Sequence, residues 1–377
     1  MNSDSVAVKA KRISELDGWR GISIICVIAG HLLNNIGVQH GARVAGELAG
    51  WGVDIFFIIS GFIIAKLAIH ERQTHGWFSV SNFYCRRIFR ILPAFYFYLF
   101  AVALLASNSV IKQDYLGVAV ASVFTCNVAN AVCGWFVGHS WSLAFEEQFY
   151  LTFPLLFYVS ERYTRGILIA ILGGLMALPL AGNAMHDQRA WWVASRFAPH
   201  FSFICIGVVA AFYEAAVRRL AASGRSLLIS VADAALLLAL LVSNACAPIL
   251  SGALADALPD LNAVLLPPCL AWIVFTLIYW EGPASGILRS RPIQFIGLIS
   301  YSLYLWQEFF TATPENYLKR GWWCMPPLMI VASTLSFYCI ERPFIHIGKR
   351  LLGGQHGTPP PPLLAHVPAR GSTQGTL

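Results

Sequence analysis

Charge is scarce in this chain: only 12% of its 377 residues are Asp, Glu, Lys or Arg, against about 25% in soluble domains. An ordinary soluble globule is thereby excluded. The nine cysteines include no CxxC pair and no metal-ligand spacing, so no structural metal is expected. No internal repeat is visible, and the repeat symmetry of many transporters is missing with it. Lys and Arg number 26 against 19 Asp and Glu, a net +7, but they fall between apolar runs and form no basic face. Nucleic acid is therefore not expected as a partner. No polar stretch is left over for a soluble catalytic domain, which confines any chemistry to apolar segments and short loops.

What is present is apolar: 57% hydrophobic, 13% aromatic, mean hydropathy +0.62. That much surface to bury excludes disorder over most of the length. The expected class is all-α, a polytopic membrane protein with about ten transmembrane helices bundled around a polar cavity. Candidate spans lie near 20–38, 51–70, 91–107, 143–160, 166–182, 198–214, 227–248, 261–280, 293–312 and 323–341. The apolar run 115–133 is broken by Thr125-Cys126-Asn127 and Asn130 and is expected to be re-entrant or interfacial. Cys126 and Cys133 share that loop and would pair if it faces an oxidising compartment; most other cysteines read as core residues. Alternate loops divide the 26 Lys and Arg into sets of 20 and 6, which places both termini in the cytoplasm. With no cleavage site after the first apolar run, residues 1–19 are expected as a cytoplasmic segment, 20–352 as the membrane domain, and 353–377, with prolines at 359–362, as a disordered cytoplasmic tail.

Ionisable groups inside such spans are expensive and mark candidate sites. His31 lies eleven residues into the first span, about 16 Å along the axis from Arg20 and within about 20° of the same helix face. Its expected depth is the bilayer centre. A histidine there either bridges helices or works chemically, and the aligned arginine adds weight to the second. Arg86, Arg87 and Arg90 open the third span; Arg87 and Arg90, three apart, present adjacent guanidinium forks suited to phosphate oxygens or to lipid head groups. Asp54 sits among apolar residues of the second span, as an ion-pair partner or a catalytic acid. Asp17 suits the N-cap of the first helix. Glu146 and Glu147 enter the fourth span as neighbours, to grip a hydroxylated acceptor between Trp141 and Tyr150 or to pair with Arg189 or Arg196. Glu341-Arg342 reads as a salt bridge closing the last span.

Taken together, Leu16-Asp17-Gly18-Trp19-Arg20-Gly21 with His31, Gly52-Val53-Asp54 through Ser60-Gly61-Phe62, Arg87-Ile88-Phe89-Arg90, Trp141-Ser142-Leu143 through Glu146-Glu147-Gln148-Phe149-Tyr150, Ser300-Tyr301-Ser302-Leu303-Tyr304-Leu305-Trp306 and Glu341-Arg342-Pro343 resemble the acyltransferase family 3 membrane proteins. The resemblance spans 16–343. It implies a bacterial inner-membrane O-acyltransferase of ten core helices that moves an acyl group, commonly acetyl from acetyl-CoA, to a sugar hydroxyl. Its Arg-x10-His pattern falls on Arg20 and His31, and its Arg-x-x-Arg pattern on Arg87 and Arg90. One departure stands out: Trp306 precedes Gln307-Glu308, where family members often carry a histidine, leaving His31 as the main catalytic candidate beside Glu146 and Asp54. Arg20, Arg86, Arg87 and Arg90 would hold an acyl-CoA diphosphate, its thioester ending near His31. Trp141, Glu147 and Tyr150 would receive a carbohydrate of an exopolysaccharide, lipopolysaccharide or lipid-linked sugar. Two other functions stay open: acylation of a macrolide or oligosaccharide from the cytosolic side, and proton-coupled transport through His31, Asp54 and Glu146-Glu147.

Overall fold

In the computed structural model, described at residues 13–35, 41–185, 188–222, 253–280, 282–318, 326–353 and scattered positions between 228 and 239, helices run almost end to end. They are α1 (Ser14–Asn35), α2 (Gly41–His75), α3 (Val80–Ser107), α4 (Tyr115–Ser122), α5 (Asn130–Gly138), α6 (Ser140–Val159), α7 (Glu161–Met185), α8 (Gln188–Phe212), α9 (Glu214–Ala222), α10 (Ala253–Tyr279), α11 (Pro283–Leu288), α12 (Arg291–Leu298), α13 (Ser300–Thr311), α14 (Pro326–Ser336) and α15 (Arg342–Gly353). Among the described residues the only β-pairing is an isolated bridge between Ile111 and Tyr317. A chain of this composition must satisfy its backbone within each segment, and helices do so. The protein is an all-α polytopic membrane protein.

Helix occupies every expected span except 227–248, most of which lies outside the described residues. Not all of these helices meet the length and hydropathy of a simple crossing. Among the described residues five do: Ser14–Asn34, Val44–His75, Val80–Ser107, Asn262–Tyr279 and Pro327–Leu352. A sixth would be Phe197–Phe212 with Glu214–Ala222, bent by 86°. The expected span 293–312 is split into α12 and α13 at Ile299. Run 115–133 forms no crossing but the short pair α4 and α5, closed by a Cys126–Cys133 disulfide. Gly134 follows at φ +67°, a left-handed conformation that glycine adopts without steric cost. The chain thus turns sharply after the disulfide and carries Trp135 and Phe136 inward; Tyr98 donates to the Phe136 carbonyl.

Packing rests on α2, whose apolar face lies against α1 and α8. Lipid is as apolar as leucine, so helices in a membrane associate through close backbone approach rather than through the hydrophobic effect. At the α2–α8 crossing Gly61 and Gly207 meet the Ile204 and Ile58 carbonyls with no room for a side chain. Polar ties fix the end where α1 begins: Arg289 pairs with Glu15 at 2.6 Å, Trp19 donates to the Val274 carbonyl at 3.1 Å, and Lys66 pairs with Glu214. α1 starts at Ser14, six residues before its expected span. Asp17 therefore lies in the first turn and not at the N-cap. Glu341 makes no bridge to Arg342 either, because the helix does not end there: it passes through a π-helical turn, Phe337–Glu341, into α15. Replacing Gly207 by Leu should overpack the α2–α8 crossing at a cost of about 1–3 kcal/mol, lowering the melting temperature in detergent followed by tryptophan fluorescence; an unchanged melting curve would contradict the tight crossing.

Candidate active site

Arg20 on α1 and Arg87 and Arg90 on α3 converge where two cavities meet. The wider, about 780 Å³, is lined by Arg20, Arg86, Arg87, Arg90, Arg342 and Lys349 together with apolar residues and the acids Asp17 and Glu341. The narrower, about 90 Å³, continues inward past the same three arginines to Ser60, Ser142, Glu146, Tyr150 and Tyr304. Arg87 lies over the Tyr150 ring, its guanidinium carbon 4.6 Å from the centroid, a cation–π contact that holds the fork in place. Among the described residues no carboxylate comes within ion-pair distance of Arg20, Arg87 or Arg90. Glu341 is the nearest thing to a counter-charge from the last helix, but it is buried and accepts from Ser302 at 3.1 Å. Arg86 differs from its neighbours: it pairs with Glu71 at 2.6 Å on the rim.

Inside the narrow chamber Glu146 accepts from Ser60 at 2.6 Å and from the Tyr150 hydroxyl at 3.0 Å. α6 sets this up, since Glu146 and Tyr150 are one turn apart and share a face. The chamber thus groups Glu146 and Tyr150 with the arginines and not with Trp141, which instead packs on His200 at 4.7 Å between ring centroids. Glu147 lines neither cavity, and its Oε1 is buried without a hydrogen-bond partner. The side chains of Arg189 and Arg196, its suggested partners, lie outside those described. Asp54 is buried, 3.6 Å from His200 Nδ1, and also lines neither cavity.

His31 stands apart from both cavities, four residues from the end of α1 and so well past its middle. The chamber is also lined by Tyr304, which shares a 2.6 Å hydrogen bond with Ser142 and donates to the His139 carbonyl at 2.9 Å. One turn further along α13 is Glu308, buried, whose Oε1 is 4.0 Å from His31 Nε2 and 3.7 Å from His139 Nδ1. Trp135 lies edge-on to His31 at 5.8 Å and donates to the Glu308 carbonyl at 3.1 Å. Reasoning from sequence misses His139, Glu308 and Ser60. Glu308 carries the same signal as Glu146, an acid within an apolar run; His139 and Ser60 carry none without knowledge of which helices touch.

The family described as Acyltransferase domain matches residues 13–342. A protein of Staphylococcus aureus strain COL named "Putative O-acetyltransferase" is 27% identical, over 91% of this chain and 59% of its own length. The "Peptidoglycan O-acetyltransferase OatA" of Listeria monocytogenes is 26% identical over 88% of this chain and 56% of that protein. An uncharacterized Haemophilus influenzae protein is 36% identical over 136 residues, 32% of this chain. The chain thus spans less than two thirds of the length of these curated relatives. No solved structure matches. With residues 13–342 matched, and with its motif residues Arg20, Arg87, Arg90 and Glu146 gathered at one pair of cavities, the chain belongs to the Acyltransferase domain family.

Proposed function

We propose that this protein is an acyl-CoA-dependent O-acyltransferase that moves an acetyl group to a hydroxyl of an envelope carbohydrate. The observation that carries the reading is the convergence of Arg20, Arg87 and Arg90, none of them ion-paired among the described residues, on the passage between the two cavities. Forked donors held this close suit the diphosphate of a coenzyme A. The wide basin, rimmed by Arg86, Arg342 and Lys349, faces the cytoplasm in this reading, where the donor is made, and both termini lie on that side. The Cys126–Cys133 loop then faces the oxidising side, where disulfides persist.

From the arginines the pantetheine arm runs into the narrow chamber past Ile63 and Tyr150 towards Ser142 and Tyr304. Its exclusion from water protects the thioester. Transfer at His31 requires Tyr304 to release Ser142 and the His139 carbonyl, so that the acyl end passes to the imidazole. There the ring serves as general base for an acceptor hydroxyl or accepts the acyl group itself. The relatives' names point to a carbohydrate acceptor, peptidoglycan in one case; an exopolysaccharide, lipopolysaccharide or lipid-linked sugar fits the same chemistry.

A second reading draws on Glu146, which lies in the chamber itself, hydrogen-bonded to Ser60 and Tyr150. An oligosaccharide or macrolide that entered from the donor side would be activated there, and His31 would be dispensable.

His31→Ala should leave a folded protein whose acyl transfer falls by about 10²-fold or more, the usual contribution of a general base, measured as ester-linked acetate on envelope glycans by mass spectrometry. Full activity would exclude transfer at His31 and favour the Glu146 reading. Arg87→Lys should keep the charge but lose both the forked contact and the Tyr150 stack. Its KM for acetyl-CoA should therefore rise by about tenfold with kcat little changed, whereas an unaltered KM would reduce Arg87 to a lipid anchor.

A further inference from the structure

His139 is buried, and neither ring nitrogen has a hydrogen-bond partner. A structural histidine in an apolar bundle bonds to something, because an unpaired buried polar group costs about 1–3 kcal/mol. Its ring is instead clamped edge-on between Tyr98 and Tyr304, with centroids at 5.4 and 5.3 Å, and turned towards Glu308. Glu308 is equally buried, and its Oε1 accepts from Gln307 at 3.0 Å. That same oxygen lies between two imidazoles, 3.7 Å from His139 Nδ1 and 4.0 Å from His31 Nε2. Two histidines and one acid from three separate elements, α1, α13 and the junction of α5 with α6, thus meet at a single oxygen.

We infer that Glu308 is the positioning residue of His31, and that His139 holds the Glu308 carboxylate from its other side. The inference rests on the reading of His31 as the catalytic base. With Nε2 turned to the acid, Nε2 carries the ring proton and Nδ1 is left to accept one, the tautomer logic of acid–histidine pairs in hydrolases. The acceptor oxygen attacks the thioester carbonyl while its proton passes to His31 Nδ1; the carbon–oxygen bond forms, the carbon–sulfur bond breaks, and the proton then goes to the departing thiolate. Ester and free thiol are the only products. During this cycle the imidazolium stands next to a carboxylate in a site of low dielectric, where the attraction is far larger than in water. Trp135 contributes by fixing the geometry from both sides, edge-on to His31 and donating to the Glu308 carbonyl. The disulfide and Gly134 just before it in the chain set where that indole lies.

The test uses the full chain in detergent with acetyl-CoA as donor and total envelope glycan as acceptor, following release of the CoA thiol. Glu308→Gln keeps the size and the Gln307 contact but removes the charge. Its kcat should fall by about 10²-fold with the acetyl-CoA KM within about twofold of wild type, and Glu308→Asp should recover about a tenth of the activity or more. His139→Gln, which leaves both catalytic partners intact, should lower kcat by about tenfold at unchanged KM, and it decides the matter alone if the Glu308 variants do not fold. A kcat within about threefold of wild type in folded Glu308→Gln or His139→Gln overturns the inference, as does a loss seen only in KM or an Asp variant no better than Gln. Failure of the wild-type protein to release thiol from acetyl-CoA overturns the proposed function as well; activity in wild type and variants alike overturns only the role of Glu308.

Discussion

Three guanidinium groups gathered in a largely apolar bundle repel one another and lose hydration, and each such ion costs several kcal/mol unless something repays it. Arg20, Arg87 and Arg90 are not repaid by ion pairs among the described residues. The protein holds them in place by other means: the Tyr150 ring beneath Arg87, and the acids Asp17 and Glu341, which line the same wide cavity. Much of the architecture serves that arrangement. α1 and α3 are long helices, the π-helical turn at Phe337–Glu341 brings an acid to the wide cavity, and the polar ties from Glu15 to Arg289 and from Trp19 to Val274 fix the start of α1. In the proposed reading, a polyanion entering the passage would relieve that repulsion.

Two carboxylates stand at two depths along this path. Glu146 lies beside the arginines and is well satisfied by Ser60 and Tyr150; Glu308 lies a step beyond Tyr304, between two histidines. Tyr304 separates them by bonding at once to Ser142 and to the backbone of His139. The same residue is one helical turn from Glu308 on α13. In the proposed mechanism, donor binding and proton handling would thus fall on neighbouring turns of α13.

Much of this was legible in the sequence because charge in an apolar run is a strong signal. Arg20, Arg87, Arg90 and Glu146 stand out for that reason, and the structure brings all four to one site. Asp54, Glu147 and Trp141 stand out equally but line neither cavity, since burial cost says that a group is placed for a reason without saying what it faces. Helix positions were legible from hydropathy; the break at Ile299 and the early start of α1 were not, because local caps and turns decide them. His139 lies between Gly138 and Ser140 in a stretch that reads as a loop, and its partner Glu308 is 169 residues away in the chain. No periodicity links two such residues; only the packing of α1, α6 and α13 does.

Direct binding of coenzyme A to the purified full-length chain, with and without Arg20→Ala, Arg87→Ala and Arg90→Ala together, bears most directly on the central claim. The account predicts saturable binding to the wild type, competed by pyrophosphate, and an affinity lower by about 10³-fold or more when three charge-assisted contacts of about 1.5–3 kcal/mol each are removed. Equal affinity in the two proteins would contradict it.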